Sequence, residues 1–192
     1  CNEGDANSQT FNMVVEVCKP GLLEDNCHQY GPYYKPEGIM QAKAEKARFS
    51  VFGYMNVGTH DGGVMRARMK SLLGGRTNTG IDLGKEINET DGTFIINPDA
   101  KDADASGVSN SGVINYLNKF GDAGTYKTLD PVDELYYTGL LYLRNRKDLV
   151  PASFSAIPPD PVKAATAKDG FPVISSSNWD DPLLPQTKDN LG

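Results

Sequence analysis

Long runs of one kind of residue are absent from this chain, and each absence narrows its function. No stretch of about 18 apolar residues occurs, which excludes a membrane-crossing helix. No cluster of Lys and Arg occurs either. With a net charge of −6 and a pI of about 4.9, a phosphate-binding surface is disfavoured, and nucleic acid is not an expected partner. Only two histidines are present, His28 and His60. No CxxC or HxxxH pair supports a zinc site, and the CxxCH haem signature is missing. GxGxxG and GxxxxGK are also missing, so DGG at Asp61 to Gly63 and LLGGR read as tight turns rather than phosphate cradles. Neither histidine has a Ser, Cys or Asp at motif spacing, so no catalytic residue is assigned. No secretory leader is visible, which carries no weight where numbering begins after processing or inside a longer protein.

What remains is 192 residues with 39% hydrophobic content and 20 glycines. That composition supports one core with much loop. The three cysteines are Cys1, Cys18 and Cys27. The latter two enclose KPGLLEDN, a short polar loop with Pro and Gly to turn it. A disulfide there suits an oxidising compartment; two free thiols are the alternative. Cys1 fits three readings: half of a bridge to a cysteine outside the chain, the lipid-bearing first residue of a lipoprotein, or a free thiol.

FNMVVEVC, Phe11 to Cys18, alternates apolar and polar residues and predicts a strand. An aromatic turn, YGPYYKP, follows the cysteine loop. Pro36 opens a predicted helix through EGIMQAKAEKA, and RFSVFGY then reads as a central strand. DGGVMRARMK follows as an amphipathic segment. Residues 71–106 are rich in Gly, Asn, Asp and Thr, and predict a surface insertion of turns and hairpins. SGVINYLNKFG predicts a helix with Val113, Leu117 and Phe120 on one face and Gly121 as its C-cap. DPVDELYYTGLLYLRNR predicts the firmest helix, Asp130 to Arg146, with Pro131 first and acids early. Its face of Leu135, Leu140, Leu141 and Leu143 with three Tyr is expected to be buried. After Val150 the chain holds most of its 12 prolines, and residues 151–192 read as an extended tail without a core of their own. The fold class is α/β or α+β, with residues 1–150 as the domain.

The motifs VEVC, YKPEG, RFSVFGY, DGGVMRARMK, NPDA, SGVINYLNKFG, YKTLDPVDELYY, GFPVI and WDDP, in that order from about Met13 to Pro182, resemble the type IV pilus tip adhesins of the PilC/PilY family. The resemblance implies a partial von Willebrand factor A-like sheet leading toward a calcium-binding β-propeller. It implies an extracellular place at the pilus tip or outer cell surface, and a part in attachment, pilus biogenesis and twitching motility. The implied partners are the remainder of the adhesin, minor pilins, and a host or abiotic surface. Two departures stand out. The DxSxS stretch of an A-type metal site is absent, so that site would lie upstream. After WDDP the family continues toward a cysteine and a strand, whereas LLPQTKDNLG follows here.

Candidate sites are few. Asp102, Asp104 and Ser106, in DADASG, resemble the first half of a calcium loop. Val113 stands where a bidentate Glu is expected, so other carboxylates such as Asp99 would be needed. The same residues also read as an Asp-rich turn entering a helix. Calcium is the one cofactor suggested, and an independent secreted calcium-stabilised binding module is the alternative function. Tyr33, Tyr34 and Trp179 are candidates for partner contact, with packing as the competing reading for the tyrosines and tail anchoring for the tryptophan.

Overall fold

The computed structural model describes residues 11–119 and 127–184. Cys1, Phe120 and Gly121 lie outside them. The fold is mixed α and β, built around one seven-residue strand. The strands are β1 (Cys27–Tyr30), β2 (Tyr33–Pro36), β3 (Phe49–Gly53), β4 (Val64–Lys70), β5 (Gly75–Arg76) and β6 (Asp82–Leu83); the helices are α1 (Ile39–Ala42), α2 (Ala100–Ser106), α3 (Val113–Asn118), α4 (Val132–Leu143) and α5 (Pro161–Lys168). They pair as three separate antiparallel hairpins, β1–β2, β3–β4 and β5–β6. Among the described residues there is no larger sheet.

β4 is the axis. β3 pairs along one side of it, with register shifts at Val51. On the other side Ile174 bridges Met65, its amide donating to the Met65 carbonyl at 3.0 Å. β3 is thereby the outer edge. The DGG motif is a close approach rather than a hairpin turn: it ends the connection from β3 and meets α4. A Cβ on Gly63, at φ +90°, would lie 2.5 Å from Thr138 Oγ1, and one on Gly62 would lie 2.6 Å from the Pro131 ring. The Gly62 amide donates to Glu134 at 3.0 Å. Only glycine lets strand and helix come this near.

Several expectations are corrected. Phe11 to Val17 forms no strand and is exposed; among the described residues no strand lies beside it. The helix after Pro36 is a single turn, α1, which buries no residue. Residues 71–106 are not a surface insertion, since Leu72, Leu83, Glu86 and Ile87 are all buried, and their last seven residues form α2. The segment after Val150 is not a loose tail. Asp160 caps α5, accepting from the Lys163 amide at 2.9 Å, with Pro161 in the first turn. Phe154, Ala167, Phe171, Ile174 and Trp179 are all buried.

α4 forms where expected, with Asp133 and Glu134 in its first turn, complementing the helix dipole. Its burial differs from expectation. Thr138, Leu141 and Tyr142 are buried, while Tyr136, Tyr137, Leu140 and Leu143 are exposed. α3 likewise buries Val113, Ile114 and Tyr116 and leaves Leu117 exposed.

The Cys18–Cys27 disulfide is formed, with 5.5 Å between Cα atoms. It closes a small loop, which constrains the unfolded chain by roughly 2–3 kcal/mol. Glu24 sits inside that loop and accepts from the Cys18 amide at 3.0 Å.

Candidate functional site

Alternate residues of a strand share a face, and β4 carries Arg66, Arg68 and Lys70 at alternate positions. All three are buried, at 1%, 4% and 0% exposure. Buried cations require partners, and each has a different set. Arg66 Nη1 donates to the carbonyls of Lys168 at 3.0 Å, Phe171 at 3.3 Å and Pro172 at 3.2 Å. Its Nη2 donates to the Tyr54 carbonyl. Arg68 forms a fork onto Asp102, Nε to Oδ2 at 2.8 Å and Nη2 to Oδ1 at 3.0 Å, while Nη1 reaches Asp180 Oδ2 and the Asn178 carbonyl, both at 2.6 Å. Lys70 donates to Asp99 Oδ1 at 2.6 Å and the Gly84 carbonyl at 3.0 Å, and forms an ion pair with Glu86 Oε1 at 2.8 Å. Glu86 in turn accepts the first amides of α3, from Val113 at 2.9 Å and Ile114 at 3.1 Å, satisfying orphan donors. One strand thus ties α2, α3 and the C-terminal segment together through charge.

Arg68 and Lys70 each face two carboxylates, while Arg66 is held by carbonyls, so negative charge is in excess around the two ion-paired cations. Asp99 bears the consequence. Burial holds its carboxyl above the usual carboxylate range, against the opposing pull of Lys70, while Glu86 and Asp102 push the same way as burial. Its Oδ2 has no hydrogen-bond partner. The folded state therefore binds this proton more tightly than the unfolded chain. The associated stability is complete below the ordinary Asp value and is lost as pH rises through the raised value. Urea midpoints measured against pH should fall across that window in the native chain and fall less in Asp99→Asn. Parallel profiles for the two would refute the assignment.

The second feature is an apolar groove of about 440 Å³ between β3 and α4. Phe49, Phe52 and Met69 line one wall and Leu135, Leu140 and Leu143 the other, with Arg48 at one end. Tyr136 stands on its rim at 70% exposure. Among the described residues nothing fills it.

The residues singled out from sequence fall elsewhere. Asp102 and Ser106 are buried and Asp104 is exposed on α2, a helix instead of a calcium loop. Asp102 is engaged by Arg68, and the Ser106 hydroxyl accepts from the Val173 amide at 3.1 Å. Among the described residues no set of three ligand atoms converges on these acids. Trp179 is 3% exposed; its ring packs against Phe52 and Tyr142 at 5.8 and 5.4 Å between centroids. It anchors the C-terminal segment and offers no face to a partner. Tyr33 is exposed and Tyr34 half-buried, on β2, away from that cluster. Read as an amphipathic segment, VMRARMK does not assign its basic residues to the interior; the alternation of basic and apolar residues is the signal that could have found the ladder.

This chain is 36% identical, over 211 residues and 99% of its length, to a "Type IV pilus biogenesis factor PilY1 homolog" of Xylella fastidiosa. The chain belongs to the PilY1 family. It spans 17% of that relative's length. No protein-family profile matches it, and no solved structure does. Among the described residues of this PilY1-family chain, no helix is long and apolar enough to cross a membrane.

Proposed function

We propose that this chain is a non-enzymatic scaffold segment of a type IV pilus biogenesis factor and works through protein contact. The observation that carries the reading is the exposed apolar face of α4, formed by Tyr136, Leu140 and Leu143, on a chain homologous to such a factor. The ionic ladder of β4 would hold that face rigid, since its three cations tie strand, helices and C-terminal segment into one body. By the same reading the chain acts at the pilus tip or outer surface, beside the remainder of the adhesin and the minor pilins. Attachment to a host or abiotic surface and twitching motility would follow from it. A von Willebrand-like sheet would then be completed by sequence upstream of this chain. The intact Cys18–Cys27 bridge accords with an extracellular place.

The test uses the full-length protein in its source organism, with Tyr136→Glu and Leu140→Glu combined. Both side chains are exposed, so folding is preserved, and pili recovered by shearing should drop severalfold. Normal piliation with the variant present at native levels would refute the proposal.

A further inference from the structure

The turn NETDGT, residues 88–93, is held firmly in the fold. Ile87 and Phe94 bridge its two ends. The Asn88 amide donates to the Thr93 carbonyl at 2.9 Å, and the Gly92 amide donates to the Asn88 carbonyl at 2.8 Å. The turn rests on the β1–β2 hairpin: a Cβ on Gly92 would lie 2.6 Å from the Tyr30 ring, and one on Gly31 would lie 2.6 Å from the Thr90 carbonyl oxygen. Within it, Asn88 Oδ1 accepts from the Thr90 amide at 3.0 Å and from the Thr90 hydroxyl at 2.7 Å. Both lone pairs of that oxygen are then occupied. The Asn88 Nδ2 differs: it has no hydrogen-bond partner among the described residues, and it is not sealed from water. Glu89 and Thr90 are exposed. Asn88-Glu89-Thr90 has the order of an acceptor for N-linked sugar, Asn-x-Thr with no proline between. Of the asparagines in the chain, Asn88 alone is followed two positions later by Ser or Thr.

We infer that Asn88 is a glycosylation site, modified by a transferase that uses a sugar activated as a phosphate ester on a nucleotide or a lipid carrier. Nδ2 bonds to the anomeric carbon of the sugar. The bond from that carbon to the phosphate oxygen breaks, the phosphate leaves with the electron pair, and Nδ2 gives up one proton. Nothing is oxidised or reduced, and the product is still an amide carrying one N–H. The chemistry needs only the nitrogen, which is the side-chain atom of Asn88 that the fold leaves unengaged. Oδ1 keeps both of its bonds to Thr90 after transfer, so a sugar joins the turn without loosening it. A solvent-facing nitrogen on a fixed surface turn meets the demand of a bulky, solubilising group. The inference goes beyond the contact role proposed for α4 and does not depend on it.

Mass spectrometry of the full-length protein, purified from its source organism and digested with trypsin, tests this. The peptide 86–101, released between Lys85 and Lys101, should carry a sugar increment located on Asn88. Asn88→Asp should lose the increment while the protein stays at native abundance, because a carboxylate oxygen can accept the same two bonds from Thr90. Thr90→Ala should lose it as well, and Thr90→Ser should retain it at lower occupancy. A ladder of single-sugar increments supports the inference and identifies nucleotide sugars, added stepwise, as the donor. One larger block supports it equally and identifies a preassembled chain on a lipid carrier. A peptide 86–101 that is wholly unmodified in the native protein overturns the inference. So does an increment that survives Asn88→Asp. Loss of piliation in the α4 variants, or its absence, leaves this result unaffected, so the two readings fail separately.

Discussion

Replacing Arg68 by Leu should lower the unfolding free energy by about 3–5 kcal/mol, the range for breaking a buried ion pair from one side. The cost comes from what is left behind. Asp102 and Asp180 are each 9% exposed at the side chain, and without the guanidinium two carboxylates remain in a site that excludes most water. Asp102 would lose both arms of its fork, and the Asn178 carbonyl its donor. Asp180 keeps one donor, the Thr79 hydroxyl. Asp180→Asn should therefore cost less than Arg68→Leu, because Asp102 still neutralises the arginine. Urea unfolding of the two variants against the native chain decides it. A shift of under about 1 kcal/mol for Arg68→Leu would mean that water reaches the pair and that it resembles a surface salt bridge. Against a typical total stability of about 5–15 kcal/mol, the predicted loss is enough to threaten folding.

Trp179→Ala should cost about 3–5 kcal/mol, as for other large aromatic truncations in a core. Here the cavity would open beneath the C-terminal segment, between Phe52, Tyr142 and Met65, the last with no exposed surface. Edge-on packing to both rings and an indole bond to the Ile174 carbonyl, at 3.4 Å, would go with it. Trp179→Phe should recover part of the loss by refilling the space. The decisive readout is local: limited proteolysis should cut the 168–184 region of Trp179→Ala faster than the native chain. Equal cutting rates, with an unchanged urea midpoint, would show that the tryptophan does not anchor this segment.

α4 and the β3 strand could be read from sequence because their signals are local. Pro131 with two early acids marks a helix start, and RFSVFGY has the apolar content of a strand, although β3 lies at the edge with Phe49 and Phe52 half-buried and is not the central strand expected. The disulfide was legible for the same reason: nine positions and a Pro-Gly turn. The C-terminal segment was not, because prolines suggest an open path and say nothing of what receives it; its receiver is Arg66, about a hundred positions earlier. Phe11 to Val17 was misread in the opposite sense. Its alternation is that of a strand, but strand formation requires a neighbour, and pattern alone cannot supply one. The outer residues of α4 were expected inside on apolarity. They stand instead beside a groove that the described residues leave open. In the ladder of β4 the cations were visible, but their four acids come from positions 86, 99, 102 and 180, and no short-range pattern joins them.

The grip of Arg66 on residues 168–172 has a consequence for how this region can vary. Every atom it holds there is a main-chain oxygen, so the clasp recognises the course of the peptide and is blind to its lettering. Related chains could exchange Lys168 or Phe171 for other residues and keep this fastening, whereas inserting or deleting a single position between them would slide the oxygens out of reach. Length, more than identity, is what this stretch must conserve.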